Sequence, residues 1–176
     1  MGQAIKKNKV EYIDKVHGNS KGWITRSCID ENGYSQWHYK YLELKETDLT
    51  GKNIYITLNT FYKPCRRLEC IKELNFVYID LDYYKTKYTK EQVIMNLESN
   101  YFNKIIPATN YILDSGRGLA LLWNINKVPS KALPLWKAIQ EYLYKQLKEF
   151  GADRQALDAT RILRVPGSIN SKSKTV

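Results

Sequence analysis

The sequence predicts a mixed α+β fold. Helical periodicity occurs in two separate stretches, near residues 89–101 and 130–150, with strand-like runs grouped before and between them. Because these runs read as hairpins and do not alternate regularly with helices, the order excludes a doubly wound parallel sheet. A chain of 176 residues that is 43% apolar can bury a real core, so one domain or two tightly joined subdomains are expected over residues 1–176.

The first half of the chain is predicted to form a loose N-terminal arm followed by strands. Residues 1–20 are polar and basic and predict a loose arm. Residues 22–29 and 34–44 predict a hairpin around the turn 30–33, and residues 53–62 predict a further strand. A short helix is expected over residues 66–74.

The second half contains the stronger signals. The apolar run 76–80 predicts a buried central strand. Thr89 followed by Gln92 forms a capping box and begins a helix. Residues 108–113 and 119–125 predict two strands around the turn 114–118. A long amphipathic helix follows over residues 130–150, with Gly151 at its C-cap.

Composition points toward nucleic acid. The formal net charge is +10 and the chain contains 14 tyrosines, a combination that suits a surface stacking bases and holding phosphates. No apolar run approaches the ~20 residues of a membrane span, and the N-terminus lacks the apolar core of a signal peptide. The chain is therefore expected to be cytoplasmic, without a membrane partner. Its last residues show no clear terminator, which suggests a part of a longer protein.

The sequence Tyr78-Ile79-Asp80-Leu81-Asp82 carries the first candidate site. Alternate residues of a strand point to the same face, so Asp80 and Asp82 are expected to project together from the strand end. Two carboxylates held this close repel each other, and a divalent cation relieves the repulsion. Strand-borne carboxylates of this kind can hold Mg²⁺ or Mn²⁺ against a triphosphate.

Two further segments are suited to phosphate. The turn Ser115-Gly116-Arg117-Gly118 combines glycines, which allow close backbone approach, with a guanidinium. The C-terminal segment offers carboxylates and then spaced polar and basic residues: Asp153, Asp158, Arg161, Arg164, Asn170 and Lys172.

Together these segments resemble the archaeo-eukaryotic primase superfamily, specifically the primase-polymerase domains of plasmid, phage and mobile-element replication proteins. FVYIDLD looks like the first family motif, YILDSGRGLALLW is similar to the second, and GADRQALDATRILRVPGSINSK looks like the third. The resemblance implies a small α/β subdomain packed on an RRM-like sheet that carries the acids. It extends over most of the chain but assigns no motif to the first ~70 residues.

The resemblance also implies residue roles. Asp80 and Asp82 would bind both catalytic metal ions, and the third carboxylate would be Asp153 or Asp158. Asp153 is preferred, because the family's acid directly follows an apolar strand residue well upstream of the proline, whereas Asp158 could instead order the segment 161–164. The incoming triphosphate would be lined by Ser115, Gly116, Arg117, Gly118, Arg161, Arg164, Asn170 and Lys172.

One position departs from the family pattern. The second motif usually has a histidine after the small turn, and this chain has Ala120 there, with neither His17 nor His38 nearby in sequence. Arg117 could supply the missing triphosphate contact. The substitution raises the alternative of a catalytically weak or inactive version of the fold.

The expected function is a DNA primase-polymerase, a nucleotidyltransferase that uses Mg²⁺ or Mn²⁺ during initiation of plasmid replication. Its partners would be single-stranded DNA template, nucleoside triphosphates and a helicase domain or protein of the same replication system. Two alternatives stay open: a module of a replication initiator that binds DNA without catalysis, and a metal-dependent nuclease that uses the same acids.

Overall fold

The computed structural model describes residues 9–171, which divide into two compact units. The first unit consists of Val77–Asn124 and Pro134–Asp158. The second consists of residues 9–76, Ile125–Leu133 and residues 159–171. None of the helices among the described residues is long and apolar enough to cross a membrane.

The second unit is built on a four-stranded antiparallel sheet of order β2-β1-β3-β8. Its helices and strands are α1 (Lys9–His17), β1 (Ile24–Asp30), β2 (Gly33–Tyr39), α2 (Tyr41–Glu46), β3 (Ile54–Thr57), β4 (Thr60–Phe61) and β8 (Ile162–Arg164). The β1–β2 turn contains Gly33 at a φ of 111°, a conformation that glycine adopts without strain. Ile24 and Ile56 lie on one face of this sheet and are fully buried, so this face contributes to the apolar core.

The elements of the first unit surround the end of a long strand. They are β5 (Ile71–Leu81), α3 (Lys90–Asn96), β6 (Tyr111–Asp114), β7 (Leu119–Pro129) and α4 (Leu133–Leu147). Strands β5 and β7 belong to a second sheet of order β4-β5-β7-β6, and each contributes residues to both units. Trp136 on α4 is buried with its ring edge-on to Tyr78 of β5.

Several predicted elements are present. The Thr89 hydroxyl accepts a hydrogen bond from the Gln92 amide, and the Gln92 side-chain oxygen accepts one from the Thr89 amide, so the capping box at the start of α3 is confirmed. Strands β6 and β7 pair on either side of the predicted turn 114–118. The long helix and its left-handed Gly151 are also confirmed, although the regular α-helical part is shorter than predicted.

Two predictions were wrong because buried packing overrides local composition. The loose arm is helical from residue 9, where Tyr12, Ile13 and Val16 form a buried face among lysines; residues 1–8 lie outside the described part. The expected helix over residues 66–74 is a 3₁₀ turn (Leu68–Cys70) followed by β5, because Ile71 pairs with Phe61.

Two strands end earlier than predicted. The strand expected over residues 34–44 ends at Tyr39 and is followed by α2, in which Leu44 is fully buried. The strand expected over residues 53–62 is divided into β3 and β4. The overall class nevertheless agrees with the prediction: a mixed α+β structure with antiparallel sheets.

Candidate active site

Asp80 and Asp82 lie at the end of β5, and a distant segment of the first unit pairs with them through its backbone. Leu81 forms an isolated antiparallel bridge with Ala152. On either side of this bridge the Asp82 amide donates to the Gly151 carbonyl at 2.8 Å and the Asp153 amide donates to the Asp80 carbonyl at 2.9 Å. The backbone of Asp153 is therefore fixed directly beside that of Asp80.

The register places Asp80 and Asp153 on the same face. Leu81 and Ala152 are the paired residues, so their side chains share one face, and the flanking residues Asp80 and Asp153 project on the opposite face. Asp82 follows the strand and precedes the 3₁₀ turn Tyr83–Lys85 with a φ of −83° and a ψ of 56°, so strand alternation does not fix the direction of its side chain. Two carboxylates from widely separated parts of the sequence are thus on one face at the end of β5.

Gly151 is required at the bridge for two reasons. Its φ is 80°, in the left-handed region that other residues adopt at a cost. A Cβ added at this position would lie 2.6 Å from the carbonyl oxygen of Asp82, far inside van der Waals contact. Only glycine therefore fits both the backbone conformation and the close approach to the first motif.

Asp82 and Asp153 both have partners within the unit. The Nζ atom of Lys85 lies 2.6 Å from Oδ2 of Asp82, and this hydrogen bond raises the pKa of the lysine. Oδ1 of Asp153 accepts a 2.9 Å hydrogen bond from the Gln155 amide and caps the 3₁₀ turn Arg154–Ala156.

The residues fit a divalent ion in the chemistry of their side chains. Carboxylate oxygens are the ligands that Mg²⁺ and Mn²⁺ prefer. No group of three or more His, Cys, Asp or Glu within residues 9–171 is arranged as a metal site, however, so the metal-binding roles of Asp80, Asp82 and Asp153 stay predictions.

Asp158, the other candidate for the third carboxylate, has a different environment. Its backbone carbonyl accepts a hydrogen bond from the hydroxyl of the fully buried Tyr78, and its side chain is on an exposed residue. Tyr78 thereby attaches the segment that follows Asp153 to β5. The backbone register that brings Asp153 to Asp80 has no counterpart at Asp158 among the hydrogen bonds described.

The glycine turn of the second motif lies against the first motif. A Cβ added at Gly118 would be 2.6 Å from the Leu81 carbonyl oxygen, so glycine allows this close contact. The Ser115 hydroxyl both accepts from the Gly118 amide and donates to its carbonyl, each at 3.0 Å. The turn is thus closed by its own serine immediately beside Leu81, and Arg117 is exposed within it.

Asp114 was missed by the sequence analysis and orders the same turn. Its Oδ1 accepts from the Gly116 amide at 2.7 Å, and its Oδ2 lies 3.0 Å from Nζ of Lys90 at the start of α3. The aspartate directly before a glycine turn was the available sequence signal, because Asp side chains commonly bond the backbone two residues later. Ala120, in the position of the family's histidine, is buried and pairs with Leu113.

Arg161 and Arg164 of the third motif belong to the second unit. Arg164 donates to the Tyr55 hydroxyl at 2.9 Å, to Oδ1 of Asn53 at 3.2 Å and to the Ile169 carbonyl at 3.3 Å. Burial lowers the pKa of this guanidinium. These contacts attach the chain after β8 to β3, which is a structural role that the sequence did not predict.

The remaining predicted residues of the third motif are also in the second unit or beyond it. Arg161 is half-buried and Asn170 is buried. Lys172 lies outside the described residues. Their predicted contacts with a triphosphate stay predictions.

The comparisons with known proteins agree with this fold. No protein-family model matches the chain. It is 75% identical, over all 176 of its residues, to a protein from Clostridium perfringens described as a replication protein, and it spans 43% of that relative's length.

Two solved structures resemble the chain. The AEP (archaeo-eukaryotic primase) domain of the primase-polymerase of cyanophage S-2L matches with a TM-score of 0.63 and 13% identity, over 95% of this chain and 84% of that one. The catalytic domain of the primase Repb', solved in complex with initiator DNA, matches with a TM-score of 0.53 and 15% identity, over 97% of this chain and 82% of that one. The resemblance found in the sequence is therefore confirmed: the chain has the fold of archaeo-eukaryotic primase domains and is similar to a replication protein.

Proposed function

We propose that the chain is a primase-polymerase domain that carries out template-directed nucleotidyl transfer during initiation of replication. One observation supports the proposal: the Asp153 amide donates to the Asp80 carbonyl at 2.9 Å, so the backbone of Asp153 lies beside that of Asp80. The fold, shared with a primase-polymerase and with a primase catalytic domain, supports it.

The three aspartates would hold two divalent ions. Bound Mg²⁺ or Mn²⁺ would neutralise the triphosphate and lower the pKa of the attacking hydroxyl. The two backbone hydrogen bonds around the Leu81–Ala152 bridge are called the backbone bracket. In this proposal Asp80, Asp82 and Asp153 present oxygen ligands from this bracket, so that little rearrangement accompanies the reaction. In this proposal Lys85 holds Asp82 by a 2.6 Å ion pair until a metal ion replaces it.

The turn of residues 115–118 would position the incoming nucleoside triphosphate. Its serine and aspartate bonds hold the backbone in one conformation beside Leu81. Arg117 would contribute a fixed positive charge to the phosphates. This contact would replace the one that the family's histidine makes, because this chain has Ala120 at that position.

The wider setting follows from the same proposal. The substrates would be nucleoside triphosphates and a single-stranded DNA template, in the cytoplasm of a cell that carries a plasmid or a similar mobile element. A helicase domain or protein of the same replication system would expose the template. Because the chain spans less than half of its curated relative, such a domain could belong to the same polypeptide.

The decisive experiment measures incorporation of labelled nucleotide on a primed and on an unprimed single-stranded template, with Mg²⁺, Mn²⁺ or EDTA. We expect metal-dependent products that Asp80→Asn and Asp82→Asn each abolish. Asp30→Asn, at the exposed β1–β2 turn, is the matched control for loss of one negative charge. Full incorporation by both active-site variants would disprove the proposal.

A second candidate function is DNA binding without catalysis. Ala120 favours it, because a buried methyl group can neither donate a hydrogen bond to phosphate nor carry charge. This candidate predicts single-stranded DNA binding by the wild-type chain and no incorporation under any metal condition. Replacing Ala120 by histidine would then be the informative gain-of-function variant.

A further inference from the structure

Strand β2 presents a row of polar side chains on the face of its sheet opposite the apolar core. Tyr34, Gln36 and His38 alternate along the strand and therefore point the same way. The register continues this face through Ser27 of β1, opposite Gln36, and Tyr55 of β3, opposite Ser27. None of the residues on this face in β1, β2, β3 or β8 is acidic.

Tyr34 is held with its ring accessible. Its hydroxyl lies 2.9 Å from the Ser27 hydroxyl and donates to Oε1 of Gln36 at 3.0 Å. The residue is nevertheless 48% exposed, so the hydroxyl is anchored while much of the ring faces solvent. An aromatic ring fixed in this way loses little conformational entropy when a planar group stacks on it.

A cation accompanies the ring. The guanidinium of Arg66 lies 5.8 Å from the ring centroid of Tyr34, and one of its nitrogens donates to the Thr160 carbonyl at 3.0 Å. His38 is hydrogen-bonded to Thr25 at 3.0 Å, and burial and the nearby Arg66 lower its pKa, so its imidazole is neutral near pH 7. The surface thus combines an aromatic platform, an amide and one permanent positive charge.

We propose that this surface, formed by Tyr34, Gln36, His38 and Arg66, binds single-stranded DNA, with a base stacked on Tyr34 and a phosphate held by Arg66. Aromatic platforms beside cations are the usual means of holding single strands without sequence preference, because every base has a stacking face. The inference deepens the proposed function by assigning the template strand to named residues of the second unit. Binding itself requires neither metal nor catalysis.

The test is fluorescence anisotropy of a labelled single-stranded oligonucleotide, titrated with protein in EDTA and without nucleotide. Loss of one stacked base in Tyr34→Ala should weaken binding about ten-fold, and Tyr34→Phe, which keeps the ring, should change it by less than about two-fold. Arg66→Gln should weaken binding about five-fold and reduce the slope of log affinity against log salt by about one.

Two neighbours serve as matched controls. Arg67→Gln removes the same charge from the next residue, whose side chain is 74% exposed and faces Glu69 instead of Tyr34. Trp37→Ala removes an aromatic ring that is similarly exposed on β2 but lies on the opposite face, against Arg26. Both should bind DNA within about two-fold of wild type, because neither lies on the proposed surface.

Three results would overturn the inference. One is equal weakening by Arg66→Gln and Arg67→Gln, which would indicate a general charge effect. Another is wild-type affinity in Tyr34→Ala with its fold retained by circular dichroism. The third is wild-type affinity of Arg66→Gln for the oligonucleotide together with weakened binding of a labelled nucleoside triphosphate in a separate titration, which would make the surface a nucleotide site. All three are independent of catalysis, so they are distinguishable from failure of the incorporation assay.

Discussion

Replacing Gly151 by alanine tests the backbone bracket that joins the third motif to the first. The new Cβ would lie 2.6 Å from the Asp82 carbonyl oxygen and 2.9 Å from its carbon. The residue would also keep a φ of 80°, which costs an alanine about 1–2 kcal/mol. Because backbone atoms cannot move aside like a flexible side chain, the clash adds about 1–3 kcal/mol.

The expected total is about 2–5 kcal/mol, a large part of the roughly 5–15 kcal/mol that stabilises a typical domain. Gly33→Ala is the matched control, because Gly33 also has a positive φ, of 111°, but has nothing within 4 Å of an added Cβ. Gly33→Ala therefore gives the cost of a positive φ where the added Cβ meets no other atom.

Urea denaturation measures the free energy of unfolding of both variants, and incorporation of labelled nucleotide measures the effect on the site. We expect Gly151→Ala to lose more stability than Gly33→Ala and also to lose activity under conditions where it remains folded. If the two variants are equally stable and equally active, the close approach of Gly151 to Asp82 is not structurally important and the reasoning fails.

Three further predictions concern stability and are read from urea denaturation. Tyr78→Phe should cost about 1–3 kcal/mol, because it leaves the Asp158 carbonyl without its buried donor; an unchanged stability would show that this bond is dispensable. Thr89→Ala should cost about 1 kcal/mol through loss of the α3 cap, whereas Thr89→Ser should cost little. Burial lowers the pKa of His17 from 6.5 to about 4. The contribution of the neutral His17 to the free energy of unfolding is therefore complete above pH 6.5 and is lost as the pH falls toward 4. Stability should therefore fall by about 2 kcal/mol between about pH 7.5 and pH 5, and a His17→Asn variant with an equal fall would contradict this origin.

Local signals were sufficient to predict the parts of the fold that depend on neighbouring residues. The capping box at Thr89 and the glycine turn before Leu119 are complete within a few residues, so the sequence alone indicates them. Strand alternation also predicts that Asp80 and Asp82 share one face, and this stays a prediction because β5 ends at Leu81.

The sequence could not reveal contacts that depend on distant packing. Spacing left both Asp153 and Asp158 open as the third carboxylate, and only the bridge between Leu81 and Ala152 distinguishes their environments. The N-terminal helix was missed for a similar reason, because its apolar residues are diluted by lysines and become recognisable only when Tyr12 is seen to be buried.

The polar surface of the second unit is another feature that the sequence could not predict. Tyr34, Gln36 and His38 form a simple alternation that is typical of any exposed strand. Arg66 joins them only in three dimensions, through its position over the Tyr34 ring. A surface formed by residues that are distant in the sequence leaves no motif there. No family motif was assigned to the first ~70 residues.

We propose that Asp153, and not Asp158, completes a metal-binding set with Asp80 and Asp82. Mn²⁺-dependent nucleotide incorporation by Asp153→Asn and Asp158→Asn distinguishes the two, because each variant removes one negative charge from the same segment. We expect Asp153→Asn to lose incorporation and Asp158→Asn to remain near the wild-type level. Retained activity in Asp153→Asn would show that Asp153 is not a metal ligand.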